Sequence, residues 1–131
     1  MLRAPPGRHN LQALSLNNNR LGDDGVIDLA RYLSKTLAPK LRVLTLRDNC
    51  VGTAGITALT GSDFLEHLTI LDLAGNRLSS SSVVALVQRF GHGAPALEEL
   101  HLSGSEISGD DAAAIGNALW RHVDGARRLR P

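Results

Sequence analysis

Leucine recurs along this chain at a strict set of spacings. The pairs Leu14/Leu16, Leu44/Leu46, Leu71/Leu73 and Leu100/Leu102 have the period of two that makes one face of a short strand apolar. A third leucine stands three residues before each pair, at Leu11, Leu41, Leu68 and Leu97. Three residues after each pair comes Asn19, Asn49 or Asn76, with Ser105 in the fourth copy. Successive copies start 30, 27 and 29 residues apart, at Leu11, Leu41, Leu68 and Leu97. Twelve leucines at twelve matched positions mark one supersecondary unit repeated four times.

Each turn is followed by a further apolar residue (Leu21, Val51, Leu78, Ile107) and then by a helical spacing. Val26, Leu29, Ala30 and Leu33 fall at i, i+3, i+4 and i+7, as do Val83, Leu86, Val87 and Phe90, and Ala112, Ile115, Gly116 and Leu119. In the second repeat Ile56, Leu59 and Thr60 lead to the polar Asp63, with Phe64 and Leu65 available in its place. Asp23/Asp24, Thr53, the serines 79–82 and Asp110/Asp111 supply oxygens for the free N–H groups at the helix starts. Pro39 and Pro95 precede the next strand, where a helix has to have ended. The asparagines can bond backbone groups where the chain leaves each strand. Ser105 is shorter, so the fourth turn is expected to be the least regular.

The run Leu41-Arg-Val-Leu44-Thr-Leu46-Arg-Asp-Asn49-Cys-Val-Gly52-Thr-Ala-Gly55 carries the pattern LxxLxLxxN followed by a glycine-marked helix. Over residues 11–123 the chain resembles the ribonuclease-inhibitor-like subfamily of leucine-rich repeat proteins. The resemblance implies an α/β solenoid, a right-handed β-α superhelix of about four repeats, with a parallel sheet on the concave face and helices on the convex face. The repeats are read as 11–40, 41–67, 68–96 and 97–123. Residues 1–10 are read as an irregular segment or the tail of a preceding repeat, since Ala4-Pro5-Pro6 compares with Ala38-Pro39 and Ala94-Pro95. Residues 124–131 are read as a basic tail that resembles the start of a fifth strand. A solenoid needs polar caps at its ends. Neither end supplies one, so the expectation is a longer array or an assembly neighbour covering the ends.

Composition adds exclusions. The chain is 43% hydrophobic, 21% charged and 3% aromatic over 131 residues, which fits one globular domain. A single cysteine, Cys50, cannot form an internal disulfide and points to a reducing, intracellular and cytoplasmic setting. No apolar run reaches the roughly 20 residues of a membrane span, and no apolar stretch follows Arg3 and Arg8 as in a secretory signal. Residues 11–120 hold eight basic and twelve acidic side chains, while the two ends hold six arginines against Asp124. The body is mildly acidic and the ends are basic.

Between the strand leucines, three rows of side chains are expected on the concave face. They are Ala13, Val43, Ile70 and Glu99; Ser15, Thr45, Asp72 and His101; and Asn17, Arg47, Ala74 and Ser103. Val43, Thr45, Arg47, Ile70, Asp72, Glu99 and His101 are the candidate partner-binding residues, an apolar strip beside charge. The plain alternative is an ordinary solvated sheet face. His101 and Asp72 stand in one row and could share a hydrogen bond. Arg127, Arg128 and Arg130, with Arg121, form a second candidate, for phosphate, although no aromatic platform is interleaved with them. Trp120, the single tryptophan, is a candidate end contact.

No nucleophile stands beside a base, no phosphate-binding glycine loop occurs, and no metal-ligand spacing occurs. Catalytic residues, cofactors and metals are therefore not expected. The sequence favours a non-enzymatic protein-interaction module or assembly subunit, binding through its concave face or its ends. The runner-up is a ribonucleoprotein subunit touching RNA through basic termini. GTPase activation, which the resemblance also admits, lacks the acidic tail of the Ran-type activators.

Overall fold

The computed structural model describes residues 10–33, 38–93, 96–105 and 128–130. Five three-residue strands form one parallel sheet in sequence order: β1 (Ala13–Ser15), β2 (Val43–Thr45), β3 (Ile70–Asp72), β4 (Glu99–His101) and β5 (Arg128–Arg130). Helices α1 (Gly22–Tyr32), α2 (Thr53–Thr60) and α3 (Ser80–Gly93) connect the first four strands. Parallel neighbours need a crossover, and in each of these repeats a helix supplies it. The strands pair without slippage, so Leu14, Leu44, Leu71, Leu100 and Leu129 share one register line. The segment 124–131, expected as a tail beyond the repeats, thus contributes a fifth strand at Arg128–Arg130. The fourth predicted helix, from Ala112 to Leu119, lies outside the described residues.

The helical stripes face the sheet as their spacing requires. Val26, Leu29 and Leu33 are buried, as are Ile56 and Leu59, and Val83, Leu86 and Val87. The second repeat is shorter than the first and third, and its helix stops at Thr60 after eight residues. A 3₁₀ turn at Asp63–His67 then brings Phe64 and Leu65 into the core, in place of the polar Asp63. Leu41, Leu44, Leu46, Leu68, Leu71 and Leu73 are all at most 1% exposed. Each gains about 2 kcal/mol from leaving water.

Between repeats, the asparagines act as a ladder. Asn49 Oδ1 accepts the N–H groups of Asn19 (3.0 Å) and Leu21 (3.3 Å), and its amide donates to the carbonyls of Leu16 (2.8 Å) and Arg47 (3.1 Å). Asn76 repeats this one unit on, accepting from Asn49 (2.9 Å) and Val51 (3.0 Å) and donating to Leu46 and Leu73 (2.9 Å each). Two N–H groups converge on one oxygen because the residue between them is left-handed. Arg20 has φ 51° and Cys50 has φ 59°, and the conformation turns successive N–H groups into one concavity. Each asparagine therefore closes the turn of the repeat before its own.

Ser105 breaks this ladder. Its hydroxyl is buried without a hydrogen-bond partner among the described residues. The N–H of Leu78, which an amide at position 105 would take, bonds instead to the Asn76 carbonyl at 2.9 Å. Arg77, the counterpart of Arg20 and Cys50, is not left-handed. The third turn is irregular because each turn depends on the repeat that follows; the fourth turn, expected to be the least regular, runs on from Ser105 outside the described residues.

The helix ends are also served across repeats. Asp23 was expected to cap its own helix, but α1 has no side-chain cap. Its Oδ1 accepts instead from Gly52 (2.7 Å) and Gly55 (2.9 Å), at the start of α2. A carboxylate there opposes the positive end of the α2 dipole. At the other end of α2, Arg89 of α3 donates to the carbonyls of Thr60 (3.1 Å) and Ser62 (3.4 Å), with Glu66 3.8 Å away. Only α3 among the described helices has the local cap its sequence suggests, Ser82 N–H donating to Ser79 Oγ at 3.2 Å.

Candidate protein-binding face

The register of the sheet fixes which side chains stand side by side on the face opposite the core. Ala13, Val43, Ile70 and Glu99 form the first row, and Ser15, Thr45, Asp72 and His101 the second, with Arg128 and Arg130 of β5 at the next positions of the backbone register. Neighbouring strands lie about 4.8 Å apart, so the apolar steps Ala13, Val43 and Ile70 span roughly 10 Å. Ala13 is exposed, and Val43 and Ile70 are half-buried. Beside them the Thr45 hydroxyl donates to Ser15 Oγ at 2.9 Å, so this stretch of the second row is uncharged.

Charge enters at the third and fourth strands. Asp72 is almost buried; its Oδ1 accepts from Ala74 N–H at 3.0 Å, and its Oδ2 meets Arg47 Nη1 at 3.2 Å. The Arg47 side chain keeps half its surface in solvent, so the pair holds the guanidinium at the edge of the strip without withdrawing it. Its backbone is also fixed, its N–H donating to Asn17 Oδ1 at 2.8 Å. His101 does not pair with Asp72, as its row position suggested. It meets Glu99 Oε1 at 3.2 Å, two residues away on the same strand face. Asp72 is already committed to Arg47 and Ala74.

All seven candidate residues therefore lie on one surface: an apolar patch of Val43 and Ile70, Thr45 between polar neighbours, the ion pair Arg47–Asp72 and the hydrogen-bonded contact Glu99–His101. The surface is a shallow face in which side chains are positioned by strand register and by each other. Of the second candidate set, Arg128 and Arg130 belong to strand β5, while Trp120, Arg121 and Arg127 lie outside the described residues. Cys50 is exposed in its left-handed turn. Among the described residues no three His, Cys, Asp or Glu side chains gather where a metal could bind, and no helix is long and apolar enough to cross a membrane.

A second surface lies at the N-terminal end of the stack. Here an apolar cavity of about 390 Å³ is lined by Leu11, Leu14, Leu16, Leu21, Leu29 and Leu33, with Asp28 and Tyr32 also on its wall. Leu11 is 36% exposed, whereas its counterparts Leu41, Leu68 and Leu97 are at most 1% exposed.

A family model described as Leucine Rich repeat matches residues 8–30, 38–59, 64–87 and 95–116, more than half of the chain. A comparison with curated protein sequences finds no match. Among solved structures, the one titled Leiomodin-1 Actin-Binding Site 2 (ABS2) superposes with a TM-score of 0.76 at 13% identity. The match covers 91% of this chain and 69% of that one.

Proposed function

The chain belongs to the leucine-rich repeat family, and from that premise we propose that it is a non-enzymatic protein-interaction module that binds through the concave sheet face. The observation that carries this reading is the row Ala13–Val43–Ile70, apolar and partly open to solvent, bordered by the Arg47–Asp72 pair and the Glu99–His101 contact. The mechanism is shape. The strands are locked by the asparagine ladder, and the charged side chains are held by one another. A partner's edge meets a surface with little left to order on binding. The leiomodin structure is titled for a site that binds actin, a protein partner. At 13% identity that likeness supports the kind of partner and leaves its identity open.

The period of 27–30 residues and the helix in each described crossover support placement in the ribonuclease-inhibitor-like subfamily. The lone exposed cysteine supports an intracellular, cytoplasmic location. The apolar cavity beside β1 also supports a place as a subunit of a larger assembly.

The test is recovery of the tagged protein with its partners from its native cell, at low and high salt. A defined protein set that survives high salt, and is lost on the double change Val43→Asp and Ile70→Asp, is the expected result. Circular dichroism should stay unchanged, because both side chains lie off the core. RNA or RNA-binding proteins that leave as salt rises would replace this reading with the ribonucleoprotein one, since phosphate contacts weaken steeply with salt.

A further inference from the structure

Over the first two repeats the polar groups of the concave face have their acceptors occupied and several donors left over. Asn17 and Arg47 continue the register of β1 and β2, with Leu16 N–H and Asn18 N–H donating to the Thr45 and Arg47 carbonyls at 2.9 Å each. Asn17 Oδ1 accepts the Arg47 N–H at 2.8 Å, and its amide NH2 has no partner among the described residues. Ser15 Oγ accepts the Thr45 hydroxyl at 2.9 Å and keeps its own O–H to give. Arg47 spends Nη1 on Asp72 at 3.2 Å, while Nε and Nη2 donate to nothing among the described residues. What is left on this stretch is a set of N–H and O–H groups in search of an oxygen.

The charge there also has a direction. The Asp72 side chain is 10% exposed and the Arg47 side chain 50%. Both Asp72 oxygens already accept, one from Ala74 N–H and one from Arg47, so the negative end of the pair lies in the face and the positive end meets solvent. The next carboxylate along the chain, Asp48, rests against Gly75 in the following turn. Arg47 is held at both ends, its backbone by Asn17 and its guanidinium by Asp72, so an incoming anion has little left to order. A planar guanidinium with donors to spare suits the two oxygens of a carboxylate. The Asp72 contact places that guanidinium in the second row. Ile70, paired with Val43, stands two residues before Asp72 on the same strand face, roughly 7 Å along the strand.

We propose that the concave face selects a carboxylate side chain that lies two residues from an aliphatic one on an extended segment of its protein partner. This rests on the concave-face reading and names the chemistry that the face recognises. Arg47 takes the carboxylate, with the Asn17 amide and the Ser15 hydroxyl as neighbouring donors, and the aliphatic side chain covers Val43 and Ile70. The spacing matches, because side chains two residues apart on an extended chain share a face and stand roughly 7 Å apart. A free phosphate would satisfy the donors and leave Val43 and Ile70 in water, so the apolar neighbours favour a protein source.

The probes are two capped pentapeptides, Gly-Leu-Ser-Glu-Gly and Gly-Leu-Ser-Gln-Gly, each titrated to about 10 mM into the full chain, where even a weak complex forms. Methyl and side-chain N–H NMR reads the result. The glutamate peptide should shift the Arg47 Nε–H, the Asn17 amide and the methyls of Val43 and Ile70. The glutamine peptide should bind about tenfold more weakly, having lost the charge on its hydrogen bonds to Arg47. Arg47→Gln should erase that difference and leave the circular dichroism unchanged, since the side chain is exposed. Equal binding of the two peptides at Val43 and Ile70 keeps the concave-face reading and overturns this inference. Absence of shifts on this face with both peptides overturns it too, while the concave-face reading is still decided by partner recovery with Val43→Asp and Ile70→Asp. Inorganic phosphate that shifts Arg47 and Asn17 at concentrations as low as the glutamate peptide does would name another source of the anion and overturn it as well.

Discussion

The second and third repeats share a leucine pattern and differ in how their polar groups are satisfied. In the second, the turn after the strand closes on Asn76 of the next repeat, and the helix start rests on Asp23 of the previous one. In the third, the turn faces Ser105, whose hydroxyl has no partner among the described residues, and the helix start uses its own Ser79. The apolar cores are equally closed, with Leu44, Leu46, Leu71 and Leu73 at 0% exposure. The pair separates two requirements that a repeat satisfies independently. Apolar periodicity builds the layer, and the neighbour's polar side chain sets the geometry of the turn. Where that side chain is missing, the layer survives and the turn relaxes, with Arg77 leaving the left-handed region that Cys50 occupies.

Making the second junction resemble the third should have the largest effect. Asn76→Ser removes an amide that serves five backbone groups in the interior, and each buried group left alone costs about 1–3 kcal/mol. Chemical denaturation should show a loss of about 3 kcal/mol, with Val51 N–H gaining exchange with solvent. A change below about 0.5 kcal/mol, the size of an ordinary surface substitution, would mean the ladder is decorative. Removing the cap that reaches across repeats comes next. Asp23→Ala should cost about 1 kcal/mol, as loss of a capping oxygen does. Hydrogen exchange should quicken at Gly52 and Gly55 and not within α1, and the reverse distribution would restore the local cap expected from sequence. The smallest effect is the conversion of the third junction toward the second. Ser105→Asn should gain about 0.5 kcal/mol, with Leu78 N–H moving from the Asn76 carbonyl to the new amide. An unchanged Leu78 amide resonance would show that the third turn has its shape for another reason.

The architecture was legible because its signals are local and periodic. Leu14 and Leu16 declare a strand by their spacing, and Val26, Leu29 and Leu33 a helix. Once the strands are parallel and in register, the concave rows follow from counting, so Val43, Ile70, Thr45 and Asp72 stand where their positions in the repeat put them. The polar partners were not legible in the same way. Asp23 looks like a cap for the helix it sits on, and only the stacking offset between α1 and α2 carries it to Gly52 and Gly55. Arg89 gave no signal, because the carbonyls it meets belong to a helix end 29 and 27 residues earlier. His101 was placed in the correct row, but its nearest acid is on its own strand. Row position fixes where a side chain starts and leaves open which neighbour already holds Asp72.

The double clamp on α2 bears on how such a chain can be edited by evolution. A repeat that carried its own caps could be copied or excised as a unit, with cuts anywhere in register. Here the second repeat depends on Asp23 before it and Arg89 after it, and it carries Thr53 where the first repeat has Asp23, so a transplanted copy would bring no carboxylate to a new neighbour. The heritable unit is therefore the joint between repeats, and a duplication that keeps a joint whole leaves fewer charges stranded than one that keeps a repeat whole.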